Sequence, residues 1–433
     1  MGRGSHRISD DLFAGSPGRV GQEGDMSNRT MEAERPLKVL MIAPTPFFAD
    51  RGCHMRILGE IRALQHLGYD IVLCTYHIGR DIPGIKTERI LRIPWYNKLE
   101  AGSSWHKFYI DALLFFKSLA VFWREKPDLI HGHLHEGAIL GHFVRKFSLR
   151  RVPLVFDAQG SLTRELLTYS FFREGSLLHR LFDRIERWIS RMPEYTVGSN
   201  VSVSEFMVQE MGLPPERVET VIDGVHSDFF KETDRDPALK GKLGIPMESP
   251  VVLYTGALLK SKGIDYLWEA VPQVLIERPD AYFVIVGYPV EESKERVESL
   301  GVGDRCIFVG QVDYFLLPPY LFLADLAVDP KIDEAGEASG KIINYMGAAL
   351  PIVCFEGPNN RKFLGEGGIF ARSGDSRDLA AKIVETLNHP QQAKEIGLAN
   401  RRRVEEVFSW KANIRTYDRV FRSALEEVRN KKV

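Results

Sequence analysis

The hydrophobic and polar positions from residue 37 onwards alternate between short apolar runs and amphipathic stretches. The run LKVLMIAP predicts a buried strand, and MRILGEIRALQHLG, whose apolar residues recur at helical spacing, predicts a helix after it. The same succession continues through YDIVLCTYH, DLIHGHL and VPLVFDA, with helical segments between these strands. Strands that alternate with helices form a parallel sheet covered by helices on both faces. The first part of the chain is therefore predicted to be a doubly wound α/β domain.

A second series of strands follows a polar, charged and proline-containing break at residues 231–250. Its predicted strands are PVVLYTGAL, AYFVIVGY, CIFVGQV, DLAVDP and LPIVCF, again with helices between them. The chain thus divides into a disordered tail (1–36), an N-terminal Rossmann-like domain (37–232), a second Rossmann-like domain (233–411) and a C-terminal helix (412–433). Two open α/β sheets in series place a ligand cleft between the carboxyl ends of their strands.

The composition narrows the class of protein without assigning a function. The 433 residues carry a formal net charge of -1, so the chain lacks the basic excess expected of a protein that binds nucleic acid. Its four cysteines show neither metal-site spacing nor a disulfide framework, which predicts a reducing, cytoplasmic environment. The tail lacks the pattern of a signal peptide, and no apolar run reaches the length of a membrane span.

Two stretches of the first domain are candidates for peripheral contact with the inner face of a membrane. Residues 108–123, FYIDALLFFKSLAVFW, are apolar apart from Asp111 and Lys117. The second stretch, TYSFFREGSLLHRLFDRIERWISR, is basic and aromatic. The sequence leaves two interpretations open, a helix packed inside the domain or a helix that lies on a membrane surface.

The stretch EASGKIINYMGAALP places a Gly-Lys pair at the start of a predicted amphipathic helix. A helix N-terminus presents unpaired N–H groups and the positive end of a dipole, so it attracts an anion. A P-loop is excluded, because that motif needs a glycine where Ala335 stands and a Ser or Thr where Ile342 stands. The sequence indicates another phosphate-bearing ligand near Lys341.

Two further loops between a strand and a helix are candidates for binding a ligand. Gly52 lies just before the first helix, where a side chain would obstruct a ligand approaching the backbone, although a plain βα turn can also require glycine. In YTGALLKSKGIDYLWEA, Gly256, Lys260 and Lys262 lie between a strand and a helix. The two lysines are either solvated surface residues or partners of a diphosphate. Because Lys341 approaches the same crevice from another strand-helix junction, we favour the anion site.

Three histidines, His131, His133 and His135, occupy alternate positions at the end of the strand DLIHGHL. They share one face if the segment stays extended, and histidines at this spacing can bind zinc. No acidic or cysteine partner is recognisable, so hydrogen bonding to a sugar is the preferred interpretation. The segment TDRD resembles a metal-binding DxD motif, but it lies in the predicted linker. We therefore predict no metal site.

From about residue 37 to its end, the chain resembles the retaining glycosyltransferases of family 4. The resemblance rests on PDLIHGH, VSEFMVQEMGLPPERVETVIDGV, YTGALLKSKGIDYLWEA, FVIVG, FVGQV, ADLAVDP and SGKIINYMGAALPIV. It implies the two-domain GT-B fold, with a last helix that crosses back onto the first domain. It also implies transfer of a sugar, with retention, from a nucleotide-sugar to a saccharide or lipid-linked acceptor of the cell envelope. The resemblance implies neither a metal nor another cofactor.

The same resemblance implies roles for individual residues. His133 matches the histidine that contacts the donor sugar near the reaction centre, and Lys262 matches a lysine that binds the donor diphosphate. Gly52 matches the glycine of the first loop near that diphosphate. Residues 339–341, which are Ser339, Gly340 and Lys341, match the helix start around the donor.

The chain also departs from the family pattern. Asn344 stands where the family usually has the second of two glutamates that hold the ribose, and Glu337 is the best candidate for the first. Ala257 replaces a usual arginine, for which Lys260 is a substitute. These departures leave two alternatives open, a nucleotide-sugar epimerase-like enzyme and a non-catalytic protein that binds nucleotide-sugars.

Overall fold

The computed structural model of this chain describes residues 35–49, 52–97, 106–168, 171–225, 229–230, 236–332 and 339–431. The predicted tail and the predicted boundary near residue 233 lie almost wholly outside these stretches.

The first part of the described chain forms a parallel sheet with helices between its strands. Its elements are β1 (Lys38–Ala43), α1 (Gly52–His66), β2 (Asp70–Thr75), β3 (Lys86–Arg89), α2 (His106–Glu125), β4 (Leu129–His133), α3 (Leu134–Ser148), β5 (Leu154–Ala158), α4 (Leu162–Thr168), α5 (Leu177–Ser190), β6 (Tyr195–Gly198), α6 (Val201–Gln209) and β7 (Val218–Thr220). The strand order is β3-β2-β1-β4-β5-β6-β7, and every pairing is parallel.

The second part repeats the arrangement and then returns to the first. Its elements are α7 (Leu239–Lys242), β8 (Val251–Thr255), α8 (Ile264–Glu277), β9 (Tyr282–Val286), α9 (Glu291–Ser299), β10 (Cys306–Gly310), α10 (Pro318–Leu323), β11 (Leu326–Asp329), α11 (Gly340–Gly347), β12 (Ile352–Phe355), α12 (Pro358–Leu364), β13 (Ile369–Ala371), α13 (Ser376–Asn388), α14 (Pro390–Val407) and α15 (Trp410–Asn430). The strand order is β10-β9-β8-β11-β12-β13, again all parallel.

Both sheets bury apolar side chains on both faces. In β1, Val39 and Met41 pack with α1 and α15, whereas Leu40 and Ile42 pack with α2 and α3 on the opposite face. This alternation follows from the two-residue period of a strand, and burial on both faces accounts for the nearly continuous apolar sequence. The predicted fold class, two doubly wound Rossmann-like sheets, is confirmed.

The last helix packs on the first sheet although it follows the second in sequence. Val225 and Ser409 form a parallel bridge where the chain returns, and α15 then lies against α1. The ring of Trp410 covers Gly59 so closely that a Cβ atom there would lie 2.1 Å from Trp410 Cε2. A glycine at this position therefore permits the contact between the two helices. Among the described helices, none is long and apolar enough to cross a membrane.

Candidate active site at the carboxyl ends of the strands

The crevice at the carboxyl edge of the second sheet brings two predicted site segments together, the loop after β8 and the start of α11. Strands β8 and β11 are neighbours, Gly256 follows β8, and Asp329 ends β11. Gly256 has φ +123°, and a Cβ atom there would lie 3.6 Å from Lys341 Nζ. The loop after β8 and the start of α11 are therefore in direct contact, as expected for residues that surround one ligand.

Lys341 is held in this crevice by a carboxylate and a ring. Its Nζ lies 3.2 Å from Asp329 Oδ1, an ion-pair distance without good hydrogen-bond geometry, and 4.2 Å from the centroid of the Tyr254 ring. Burial alone would lower the pKa of Lys341, but the neighbouring groups, Asp329 foremost, together outweigh burial and raise the pKa above its ordinary value. The cation is thus permanently charged and already balanced by one buried carboxylate.

The start of α11 is open to an anion. Ser339 is buried at the N-cap, but its side chain caps no N–H group among the described residues. Gly340 is exposed, and a Cβ atom there would meet no described atom within 4 Å. The first N–H groups of the helix therefore keep their capacity to bind a phosphate.

The loop between β8 and α8 approaches the same strand end. Lys260 is exposed, and Lys262 is half-buried in the turn that ends at Gly263. Gly263 has φ +76°, and a Cβ atom there would lie 1.9 Å from the carbonyl oxygen of Pro330, the residue after Asp329. Only glycine allows this approach, which places the Lys262 turn beside the end of β11.

The predicted ribose residues are only partly described. Asn344 lies on α11 and accepts a hydrogen bond of 3.3 Å from the Tyr314 hydroxyl. The Tyr314 ring in turn stacks on Phe229 at a centroid distance of 4.4 Å. Glu337 lies outside the described residues.

The first sheet contributes two segments to the other side of the cleft. Helix α1 begins at Gly52, and a Cβ atom there would meet no described atom within 4 Å. In the preceding loop, Phe48 stacks on Phe315 of the second part at 5.6 Å. Arg80 pairs with Asp313 at 2.5 Å beside this stack. The loops of the two sheets therefore meet next to the candidate donor crevice.

The three histidines do not share one environment, contrary to the expectation from an extended segment. Strand β4 ends at His133 and α3 begins at Leu134, so the chain turns before His135. His135 Nε2 lies 3.3 Å from Glu186 Oε1 of α5. His131 and His133 remain on one face, with ring centroids 4.5 Å apart.

His133 is fully buried and oriented by a carboxylate. Its Nδ1 lies 3.1 Å from Asp157 Oδ2 at the end of β5. Its Nε2 has no hydrogen-bond partner among the described residues. Because a carboxylate accepts, the proton of a neutral imidazole is assigned to Nδ1, which leaves a lone pair on Nε2.

A buried ion cluster surrounds these histidines, and the sequence analysis missed it. Arg56 of α1 donates to Asp157 Oδ1 at 2.6 and 2.8 Å, to Asp223 at 2.8 Å and to the Tyr417 hydroxyl at 2.9 Å. Its Nε also lies 3.0 Å from Glu60 Oε1. The signal in the sequence was a pair of charged residues four apart, Arg56 and Glu60, directly beside the apolar stripe of the first helix.

The same cluster contains three side chains that could hold a metal ion. Ligand atoms of Glu60, His131 and His133 lie within 4.8 Å of one another, and all three residues are buried. However, Glu60 Oε2 already lies 3.0 Å from His131 Nε2, and the Arg56 cation occupies the other side of Glu60. We therefore describe these residues as a hydrogen-bonded network.

Models of two protein families match the two sheets. The model described as glycosyl transferase 4-like domain matches residues 51–224, and the model described as glycosyl transferases group 1 matches residues 249–389. Together the two matched regions span most of both Rossmann-like domains.

Individual relatives and one solved structure agree with these matches. The sulfoquinovosyl transferase of Arabidopsis thaliana is 23% identical over 86% of this chain and 71% of its own length. A GDP-mannose-dependent mannosyltransferase of Corynebacterium glutamicum, named for monoacylated phosphatidylinositol monomannoside, is 30% identical over 42% of this chain and 50% of its own. The structure of sucrose-phosphate synthase from Thermosynechococcus elongatus superposes with a TM-score of 0.73 at 19% identity, covering 90% of this chain and all of that one. The chain belongs to the group 1 glycosyltransferases, which use nucleotide-sugar donors, and it has their GT-B fold.

Proposed function

We propose that this protein is a retaining hexosyltransferase that needs no metal ion. The observation that carries the proposal is the contact of Gly256, Lys341 and the open N-terminus of α11 at the ends of β8 and β11. A donor diphosphate in this crevice would receive backbone N–H groups and the Lys341 cation. Preorganised charges of this kind stabilise a leaving phosphate without a metal.

The reaction would build negative charge on the leaving diphosphate and oxocarbenium character on the sugar. Lys341 would stabilise the phosphate charge from α11, and Lys262 would do so from the opposite loop. His133 would accept a hydrogen bond from the donor sugar through Nε2, while Asn344 and Glu337 would contact the ribose. Lys260 would add charge near the position of Ala257.

A thermal-shift panel of nucleotides and nucleotide-sugars, followed by NMR of the product, tests this proposal. A ligand at a hundred times its Kd stabilises the folded state by about 2.7 kcal/mol, enough to identify the preferred base and sugar. We expect that donor to be consumed only when an acceptor is present, with retention at the anomeric carbon. Inversion, epimerisation without an acceptor, or binding without turnover would contradict the proposal.

We further propose that the acceptor is lipid-linked and that the first domain docks on an anionic membrane. Two helices on the same side of the first sheet, α2 and α5, expose large apolar side chains, and α3 lies between them and contacts both. On α2, Phe116 is 65% exposed and Trp123 is 55% exposed. On α5, Leu181 and Trp188 are about half exposed. Tryptophan and leucine at a helix surface suit the interface of a bilayer.

The charges beside these side chains favour an anionic lipid surface over a second apolar partner. Arg180 and Arg184 are exposed on α5, one helical turn apart, and flank the stripe formed by Leu177, Leu181 and Trp188. Arginines next to an inserted apolar stripe can contact lipid phosphates while the stripe enters the acyl boundary.

Sedimentation with phosphatidylcholine vesicles, with and without phosphatidylglycerol, tests the docking surface. We expect binding only to the anionic vesicles, weakened by salt and abolished by Leu181→Asp with Trp188→Asp. Ile276→Asp is the matched control, since Ile276 is 81% exposed on α8 of the second part. Absence of binding at low salt, or equal loss in the control, would overturn the docking proposal while leaving glycosyl transfer untouched.

A further inference from the structure

Glu60 lies at the centre of the buried network, where its two oxygens serve different donors. Oε1 accepts a hydrogen bond of 2.6 Å from the Tyr417 hydroxyl and lies 3.0 Å from Arg56 Nε. Oε2 lies 3.0 Å from His131 Nε2, which donates to it. Burial lowers the pKa of His131, helped by the neighbouring His133, so His131 donates as a neutral imidazole. Each oxygen of Glu60 thus has a hydrogen-bond donor from the network.

His133 lies between two carboxylates, one near each ring nitrogen, and either carboxylate could attract the single N–H proton to its own side of the ring. Asp157 Oδ2 is 3.1 Å from Nδ1, and Glu60 Oε2 is 3.9 Å from Nε2. None of the three side chains is exposed to solvent. The tautomer of His133 therefore depends on which carboxylate is the better acceptor, because water cannot compensate for an unfavourable choice.

Asp157 is kept fully ionised at this position. Burial would raise the pKa of its carboxyl, but the Arg56 guanidinium and the hydrogen bond from His133 outweigh burial and hold the pKa well below its usual range. Gln159 Nε2 donates to the same Oδ2 at 2.7 Å and fixes the carboxylate plane. Asp157 is then a strong acceptor for the Nδ1 proton.

We propose that Tyr417 of the last helix is a positioning residue that sets the tautomer of His133. Its hydroxyl occupies Glu60 Oε1, and together with His131 it keeps Glu60 from drawing the His133 proton to Nε2. His133 then keeps its proton on Nδ1, and its Nε2 stays unprotonated. The inference rests on the proposed function, in which that Nε2 accepts a hydrogen bond from the donor sugar.

The hydrogen bond from Tyr417 to Glu60 links His133 to the last helix of the chain. Tyr417 lies on α15, which comes after the second sheet in the chain but packs against α1 of the first. The tautomer of His133 therefore depends on one hydroxyl group supplied by α15, an element that lies outside both Rossmann-like sheets in sequence.

Histidine-selective ¹⁵N NMR of the full chain without substrate tests the proposal directly. His133→Asn identifies the His133 signals. We expect the Nδ1–H tautomer in the wild type and a shift towards Nε2–H in Tyr417→Phe, which removes only the hydroxyl. Glu60→Gln combined with Tyr417→Phe should restore the Nδ1–H tautomer, because the competing carboxylate is gone. An unchanged tautomer in Tyr417→Phe, or a wild type with His133 as Nε2–H or imidazolium, would overturn the proposal.

Tyr69→Phe is the matched control. The Tyr69 hydroxyl donates to Asp418 Oδ1 of the same helix at 2.7 Å, and its ring packs on Phe421, so the variant loosens α15 without touching Glu60. It should leave the His133 signals and kcat at their wild-type values, whatever its effect on Tm. A shift of the His133 signals as large as that in Tyr417→Phe would reduce Tyr417 to a structural role and overturn the proposal.

Kinetics supply a second readout. Loss of one hydrogen bond to a buried charge corresponds to a factor of about ten to a hundred, so Tyr417→Phe should lower kcat by that amount. In a His133→Ala background the same change should have little further effect, because residues that act as a unit are not additive. Additive effects would contradict the coupling. If the wild type transfers no sugar from any donor, the proposed function fails, and the NMR result still decides the role of Tyr417.

Discussion

At the scale of single residues, the site differs from a surface cluster of lysines because the Lys341 side chain is only 13% exposed and pairs with the fully buried Asp329. Replacing either Lys262 or Lys341 with alanine removes charge that should act mainly as the sugar leaves. We therefore expect kcat to fall on the order of a hundred- to a thousand-fold, with a smaller change in donor affinity. Steady-state kinetics and donor titration separate the two effects. Lys242→Ala is the control, because Lys242 pairs with Asp236 at the surface, 2.8 Å away. A variant that weakens donor binding and leaves kcat intact would assign the lysine to binding alone.

A second residue-scale prediction concerns the acid stability of the first domain. Glu186 accepts from the backbone N–H groups of Leu162 and Thr163 at 2.9 and 3.0 Å and lies beside His135. Burial raises the pKa of this carboxyl, but His135 and the Thr163 bonds outweigh burial and lower it to about 2. A depressed pKa stabilises the fold at pH values above the unfolded value of about 4.3, and this contribution disappears as the pH falls towards about 2.

Glu186→Gln should accordingly lower the free energy of unfolding by about 3 kcal/mol at neutral pH and by much less near pH 2. Urea unfolding across this pH range measures the difference. Glu405→Gln is a suitable comparison, since Glu405 forms only a surface pair with Arg401. Equal effects of Glu186→Gln at both pH values would show that the carboxylate charge contributes nothing.

At the scale of secondary structure, the contact between α1 and α15 depends on Gly59. Alanine there would place a methyl group against the Trp410 ring, where a Cβ would be 2.1 Å from the nearest ring atom. Overpacking of this kind typically costs about 1–3 kcal/mol, so Gly59→Ala should lower Tm even though alanine favours helices. Gly241→Ala in α7, where a Cβ meets no described atom within 4 Å, should leave Tm unchanged or raise it. Equal Tm changes in the two variants would contradict the close packing of Trp410.

Sequence reasoning missed two strands and misplaced two boundaries, each for its own physical reason. β3 and β13 are short edge strands with sequences KTER and IFA, too short for a two-residue period to stand out. The helix α15 begins at Trp410, two residues before the predicted start, because Ser409 bridges Val225 and fixes the entry of the chain. The divergence of His135 depends on α3 beginning one residue after His133, a boundary that residue types alone do not specify.

At the scale of the whole molecule, the sequence predicted the two parallel sheets because their buried strands are nearly continuous apolar runs. It also predicted the Gly256 loop and the start of α11. At a strand-helix junction, glycine leaves space for a ligand near the backbone and lysine supplies positive charge. It did not predict the network of Arg56, Glu60 and Tyr417. Tyr417 lies 361 positions after Arg56 and 357 positions after Glu60. Each of the three residue types is common at protein surfaces, and only the fold shows that these three are buried together.

The measurement that tests the central claim most directly is nucleoside diphosphate release in the presence of EDTA, by the wild type and by the Lys262→Ala, Lys341→Ala double variant. The donor is the nucleotide-sugar that gives the largest thermal shift. If the lysines and the N-terminus of α11 stabilise the leaving diphosphate, the wild type turns over at the same rate with and without EDTA. The kcat of the double variant is then lower by about a hundred- to a thousand-fold or more. A wild type that EDTA inactivates and Mn²⁺ restores, or a double variant that turns over at the wild-type rate, would contradict the account.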